Sequence, residues 1–215
     1  MDKGLRLIRL MFGLFLFALG SVSVMNSNLG YGPWELFQAG LTNLLPMTIG
    51  EATVFVSVII VVIILILKET IGVGTLANMA FIGIFMDVIL SAGLIPFGAG
   101  IFSGLCLLIV GLFTTAFGSY FYISSGFGAG PRDSLMVAIR RRTGLSIGVS
   151  RSILECSAAT AGWLLGGPLG IGTVLTAILL GFCVQLVFRL FAFEATAIAH
   201  ENLWTTLHIR GKSKF

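Results

Sequence analysis

The chain has 215 residues, 57% of them hydrophobic and only 10% charged, with a mean hydropathy of +1.05 and a formal net charge of +4. A water-soluble domain carries about 25% charged residues, so a soluble enzyme is excluded and the whole chain, 1–215, reads as one all-α integral membrane domain. The excess positive charge is placed as membrane topology places it, not as a nucleic-acid surface, and nucleic acid is not an expected partner.

A bilayer crossing needs about 17–25 apolar residues. Six such spans are predicted, at 7–26, 50–67, 72–92, 101–123, 147–165 and 170–191. The first follows Lys3, Arg6 and Arg9 and mimics a secretory signal, but no small-x-small site closes it, so it reads as a span. Short segments at 33–45 and 131–143 follow the first and fourth spans. Each opens on a proline after a glycine-rich turn, and proline suits the first turn of a helix. Both are too short and too polar to cross. Arg140, Arg141 and Arg142 would each cost about 2.5–3.5 kcal/mol at a helix centre. These segments therefore read as re-entrant or interfacial helices. The tail 192–215 is more polar. Residues 194–209 read either as an interfacial helix anchored by Trp204 or as a frayed end, with His200 and His208 as surface histidines. Cys106, Cys156 and Cys183 lie far apart in apolar runs and read as small buried residues, not as metal or redox ligands.

Residues 13–92 align with 111–190 without a gap, at a constant offset of 98. Eight glycine pairs coincide: Gly13/Gly111, Gly20/Gly118, Gly30/Gly128, Gly32/Gly130, Gly50/Gly148, Gly72/Gly170, Gly74/Gly172 and Gly83/Gly181. Each repeat holds three predicted spans and one short helix. An odd span count gives the two copies opposite orientations, related by a pseudo-two-fold axis in the membrane plane. All 13 Lys and Arg fall at the two termini, in the 2–3 loop, or in the 4–5 region out to Arg151. Six spans with both termini cytoplasmic place them on one side of the membrane. Trp163 then falls at the outer interface.

Two motifs repeat. One reads Ser27-Asn28-Leu29-Gly30-Tyr31-Gly32-Pro33-Trp34-Glu35 and again Ser125-Gly126-Phe127-Gly128-Ala129-Gly130-Pro131-Arg132-Asp133. Glycines permit close backbone approach, and a helix starting at proline aims free N–H groups and a positive dipole end at whatever lies beyond it. The motif fits either a substrate-cavity lining or a tight turn into an interfacial helix whose dipole favours Glu35 and Asp133. Trp34 aligns with Arg132. The two would grip a ligand from two sides, or serve as belt and positive-inside residues. The second motif, Gly72-Val73-Gly74-Thr75 and Gly170-Ile171-Gly172-Thr173, reads as close helix packing, as do Gly100/Gly104 and Gly162/Gly166.

Polar groups within predicted spans are few, so each is a candidate. Asn78 and Asp87 lie in the third span, opposite Thr176 and Gln185 of the sixth. Asp87 is either a coupling site or a residue of the outer headgroup region. Arg151 and Glu155 are four apart on one helix face, which suits an ion pair near the cytoplasmic interface. No Ser/His/Asp set, His cluster or phosphate loop is present, so neither an enzyme nor a bound cofactor is expected.

Leu29 to Glu35 (L-G-x-G-P-W-E), Thr143 to Gly148 (T-G-L-S-I-G) and Gly162 to Val174 (G-W-L-L-G-G-P-L-G-I-G-T-V) resemble the bacterial YczE/YyaS family of integral membrane proteins, across nearly all of residues 10–192. Glu35 stands where that family more often has Asp. The resemblance implies a multispanning cell-membrane protein and carries no substrate. A member encoded near antibiotic-biosynthesis functions is regarded as an accessory to that synthesis.

The expected function is a small secondary transporter with its substrate between the two glycine-proline turns, at Asn28, Gly30, Gly32, Pro33, Trp34, Glu35, Gly128, Gly130, Pro131, Arg132, Asp133, Asn78 and Gln185. Asp87, Glu155 and Arg151 are the coupling candidates. Membrane lipid and an unidentified small molecule are the expected partners, and the small size suits a homodimer. The alternative is a membrane scaffold that recruits a cytosolic partner through Arg140 to Arg142.

Overall fold

The computed structural model describes residues 3–69 and 71–193. Among them are eight helices and no strand: α1 (Lys3–Met25), α2 (Pro33–Leu44), α3 (Ile49–Ile66), α4 (Val73–Ser91), α5 (Ile101–Ser124), α6 (Pro131–Thr143), α7 (Ile147–Leu164) and α8 (Ile171–Leu190). The proposed tail helix, with Trp204, His200 and His208, lies outside the described residues.

Five helices, α1, α3, α4, α5 and α8, are long and apolar enough to cross a membrane. With their many outward-facing apolar side chains, such as Phe12, Val58, Phe102 and Phe182, they make this a multi-pass α-helical membrane protein. α7 occupies the predicted fifth span and equals α3 in length at 18 residues. It falls short in hydropathy because it carries Arg151 and Glu155. The cysteines differ from expectation. Cys106 and Cys156 are exposed and Cys183 is half-buried. In a membrane-embedded chain an apolar thiol is as well placed against lipid as in a core.

Local chemistry sets the helix starts. Thr48 and Glu51 cap α3 reciprocally, Ser146 caps α7, and Pro33 and Pro131 begin the short helices. Gly144, at φ 73°, closes α6 in the left-handed conformation.

α1 and α5 run antiparallel at the centre. Gly13 faces Gly118 and Tyr122, while Gly20 faces Gly111 and Thr115. A Cβ at any of these four glycines would meet backbone or side-chain atoms of the other helix at 3.0 Å or less. α4 packs beside α1 through Leu10, Leu14, Ile82 and Met86, and α8 beside α5 through Leu108, Leu112, Leu175 and Leu179. One end of the bundle joins the end of α1 to the α4–α5 loop (Gly98 N–H to Asn26 O, 2.8 Å) and the start of α3 to α4 through Asp87. The other end carries Arg6, bound to Ser125 O at 2.8 Å, with Arg141 paired to Glu69 and Arg142 bound to Leu67 O.

The segments before α2 and α6 fold back into the bundle. After α1, residues 26–32 turn along the first turns of α8: Gly172 N–H donates to Leu29 O (2.6 Å) and Tyr31 N–H to Pro168 O (3.2 Å). Gly30, at φ 111°, lies on Gly170 with no space for a Cβ. The equivalent turn before α6 lies on α4: Gly74 N–H donates to Phe127 O (2.8 Å), Thr75 Oγ1 to Ala129 O (2.7 Å), and Gly128 packs on Gly72. The two repeated glycine motifs thus pack crosswise on each other. α2 and α6 each begin inside the bundle and return to the end their chain came from.

Substituting leucine for Gly20 forces α1 and α5 apart. The expected loss is about 1–3 kcal/mol or more, read as a lower unfolding midpoint of the purified protein in detergent.

Candidate functional site

α2 and α6 meet N-terminus to N-terminus. The Arg132 guanidinium lies over the Trp34 ring, 4.8 Å from its centroid, and its Nη1 is 3.5 Å from Glu35 Oε1. Ser21 of α1 donates to the same oxygen at 3.4 Å. Both acids, Glu35 and Asp133, occupy the third position of their helices, where the dipole favours a carboxylate. The Tyr122 hydroxyl of α5 donates to Asp133. α7 adds Arg151 and Glu155, 3.8 Å apart. Glu155 is within electrostatic reach of the Trp34 indole, Arg132 and Glu35, and Arg151 is near enough to act on Tyr122. Glu35, Arg132, Asp133, Arg151 and Glu155 therefore form one electrostatic cluster, drawn from three helices.

The cluster is bordered by unsatisfied polar groups. Gln38 is fully buried with neither amide atom bonded, and the buried hydroxyls of Thr176 and Ser150 have no partner. A buried polar group left unpaired costs about 1–3 kcal/mol. Such groups in a membrane interior call for a ligand or water. Thr176 flanks Gly32, and its repeat counterpart Asn78 flanks Gly130.

Trp34, Glu35, Arg132, Asp133, Arg151 and Glu155 thus come together around Pro33 and Pro131, with Gly32, Gly130 and Asn78 at the border. Other predicted site residues lie elsewhere. Gly30 and Gly128 are used in backbone packing. Asn28 donates to Gly98 O at 3.0 Å, at one end of the bundle. Asp87 holds the start of α3, accepting from Thr48 Oγ1 (2.6 Å) and the Gly50 N–H (2.8 Å). Gln185 lines a cleft of about 490 Å³ at the far end of α8 with Phe188, Arg189 and Phe193. Ser21, Gln38, Tyr122 and Ser150 were not among the predicted site residues. Tyr122 is one of only three tyrosines, and Gln38 is one of two amides in α2, with Asn43. Among the described residues no group of three His, Cys, Asp or Glu is placed to hold a metal ion.

Residues 4–189 match DUF6198, described as a family of unknown function. An uncharacterized protein of Haemophilus influenzae is 35% identical over 183 residues, covering 85% of this chain and 83% of that protein. The uncharacterized membrane protein YczE of Bacillus subtilis is 33% identical over 175 residues, 80% of each chain. The uncharacterized protein YyaS of the same organism is 28% identical over 177 residues, 81% of this chain and 88% of its own. The likeness to YczE and YyaS seen in the sequence motifs is borne out. No solved structure matches the chain.

Arg132→Gln leaves Glu35 without its counter-charge, an expected loss of about 3–5 kcal/mol. Arg132→Gln combined with Glu35→Gln should recover much of it. Unfolding midpoints of the two single variants and the double variant measure the coupling.

Proposed function

This chain belongs to the DUF6198 family, and from the geometry of its cluster we propose that the protein is a small secondary transporter whose substrate binds where α2 and α6 meet. In this reading α1, α3, α4, α5, α7 and α8 span the bilayer as two inverted three-helix repeats. α7 spans despite its lower hydropathy, because Arg151 and Glu155 belong to the cluster. The basic end faces the cytoplasm with both chain termini.

The observation that supports alternating access is an inequality between equivalent glycine pairs. Gly50 of α3 and Gly83 of α4 touch backbone to backbone. Their repeat partners Gly148 of α7 and Gly181 of α8 have nothing within 4 Å of a Cβ. Small residues at equivalent positions suit equivalent contacts. Closure of α7 on α8 through Gly148 and Gly181, with α3 parting from α4, would convert one access state into the other. The present arrangement would then be open toward the basic, cytoplasmic side. Asp87 is a latch in this scheme, binding Thr48 and Gly50 across the closed pair. Its counterpart Gln185 would take Ser146 and Gly148 in the exchanged state. The scaffold reading has less support, since Arg141 and Arg142 are already engaged by Glu69 and Leu67 O.

Gly181→Leu enters open space, so stability should be unchanged while closure is blocked. In proteoliposomes energised by a pH gradient and screened with cationic, neutral and anionic solutes, this variant should lose whatever flux the wild type shows. Glu155→Gln should impair that flux as well. Wild-type flux in Gly181→Leu, or no wild-type flux of any solute, would overturn the proposal.

A further inference from the structure

The charges of the cluster do not balance. Among the described residues, Glu35 of α2, Asp133 of α6 and Glu155 of α7 face two cations, Arg132 of α6 and Arg151 of α7. The neighbouring helices bring neutral groups: Ser21 from α1, Val56 and Ile60 from α3, Asn78 from α4, Tyr122 from α5 and Thr176 from α8. Guanidinium groups do not deprotonate in proteins, so one negative charge is left over. An uncompensated charge is costly in a membrane interior. It is removed by one proton shared over the coupled acids, or by one bound monovalent cation.

The empty valences say which kind. Glu35 receives only long contacts at Oε1, 3.4 Å from Ser21 and 3.5 Å from Arg132, while Oε2 lies against Gly32 beside the Thr176 methyl. The Thr176 hydroxyl and the Gln38 side-chain amide are buried with no partner, and each offers an oxygen acceptor. Helical side chains lean toward the N-terminus, so Gln38 covers the turn that carries Trp34 and Glu35. Three oxygen acceptors beside one surplus negative charge fit a cation that brings its own N–H donors.

Resting on the transporter reading above, we propose that this site exchanges one proton for one monovalent organic cation bearing N–H groups, an ammonium or guanidinium, with Glu35 taking the cation. The exchange balances: the protonated cluster and the cation give the loaded cluster and a free proton, with no change in the charge at the site. On the opposite face a proton displaces the cation.

The test uses full-length protein in weakly buffered detergent with a pH indicator, titrated with guanidinium chloride far below denaturing concentration. Guanidinium keeps its charge at all working pH values. Wild type should release protons saturably, toward one per chain, whereas potassium and tetramethylammonium should release none. Glu35→Gln should release none. Thr176→Val, a near-isosteric change, should keep the release and weaken the apparent guanidinium affinity several-fold. No release from wild type, or equal release from Glu35→Gln, overturns the proposal. Equal release by tetramethylammonium overturns the requirement for N–H donors. If guanidinium releases no proton while the liposome screen finds a moving anion or neutral solute, the cation assignment fails and the transporter stands. If no solute moves either, both fail.

Discussion

Irregular backbone inside a membrane protein must have its hydrogen bonds met by protein. Here that requirement falls on the turns 26–32 and 124–130, which carry the chain from the ends of α1 and α5 into the bundle. Each is met by the start of a helix from the other repeat: Leu29 O by the Gly172 N–H, Phe127 O by the Gly74 N–H, and Ala129 O by Thr75. These contacts need glycine on both surfaces, because a Cβ on Gly30 or Gly170 would enter the opposing backbone. The charged site depends on this crossed packing. Only because the turns descend do α2 and α6 begin inside the bundle, and only then do their first turns meet.

The packing divides the bundle into a fixed part and an unequal part. α1 and α5 form a glycine-lined spine shared by both repeats, with α4 and α8 held on its flanks. α3 lies closely on α4, whereas the equivalent glycines of α7 and α8 are open. A low-dielectric setting strengthens the ion contacts of the cluster and penalises any group left unpaired. Motion that repacks α3 and α7 around the cluster would therefore change its protonation and its ligand together. In this way the proposed exchange of arrangements and the proposed exchange of cation for proton become one process.

Much of this was legible in the sequence. The offset of 98 residues predicted where each helix recurs, and α3 and α7 obey it at both ends. Pro33 and Pro131 marked the starts of the short helices, because proline at a first helical position is a local signal. Trp34, Glu35, Arg132 and Asp133 follow those prolines directly, so their meeting was readable from the motif. Tyr122 and Gln38 were harder, since what matters for them is the side to which α5 and α2 turn, a tertiary property. Asp87 shows the opposite case. A lone acid in an apolar run suggests coupling, yet its oxygens are engaged by Thr48 and Gly50, and nothing local to residue 87 announces partners about forty positions earlier. Which glycine pairs would be closed and which open also lay beyond sequence, because equivalent residues carry equal signals in both repeats.

Distances between spin labels at equivalent, outward-facing positions test the exchange most directly. Phe55 on α3 with Ile84 on α4, and their repeat partners Ile153 on α7 with Phe182 on α8, are exposed apolar sites that tolerate a label. In liposomes, with the three native cysteines replaced, exchange predicts two distance populations for each pair. Their balance should shift in opposite directions as pH is varied, α7 nearing α8 as α3 leaves α4. A single population at each pair, unchanged across pH, would contradict it.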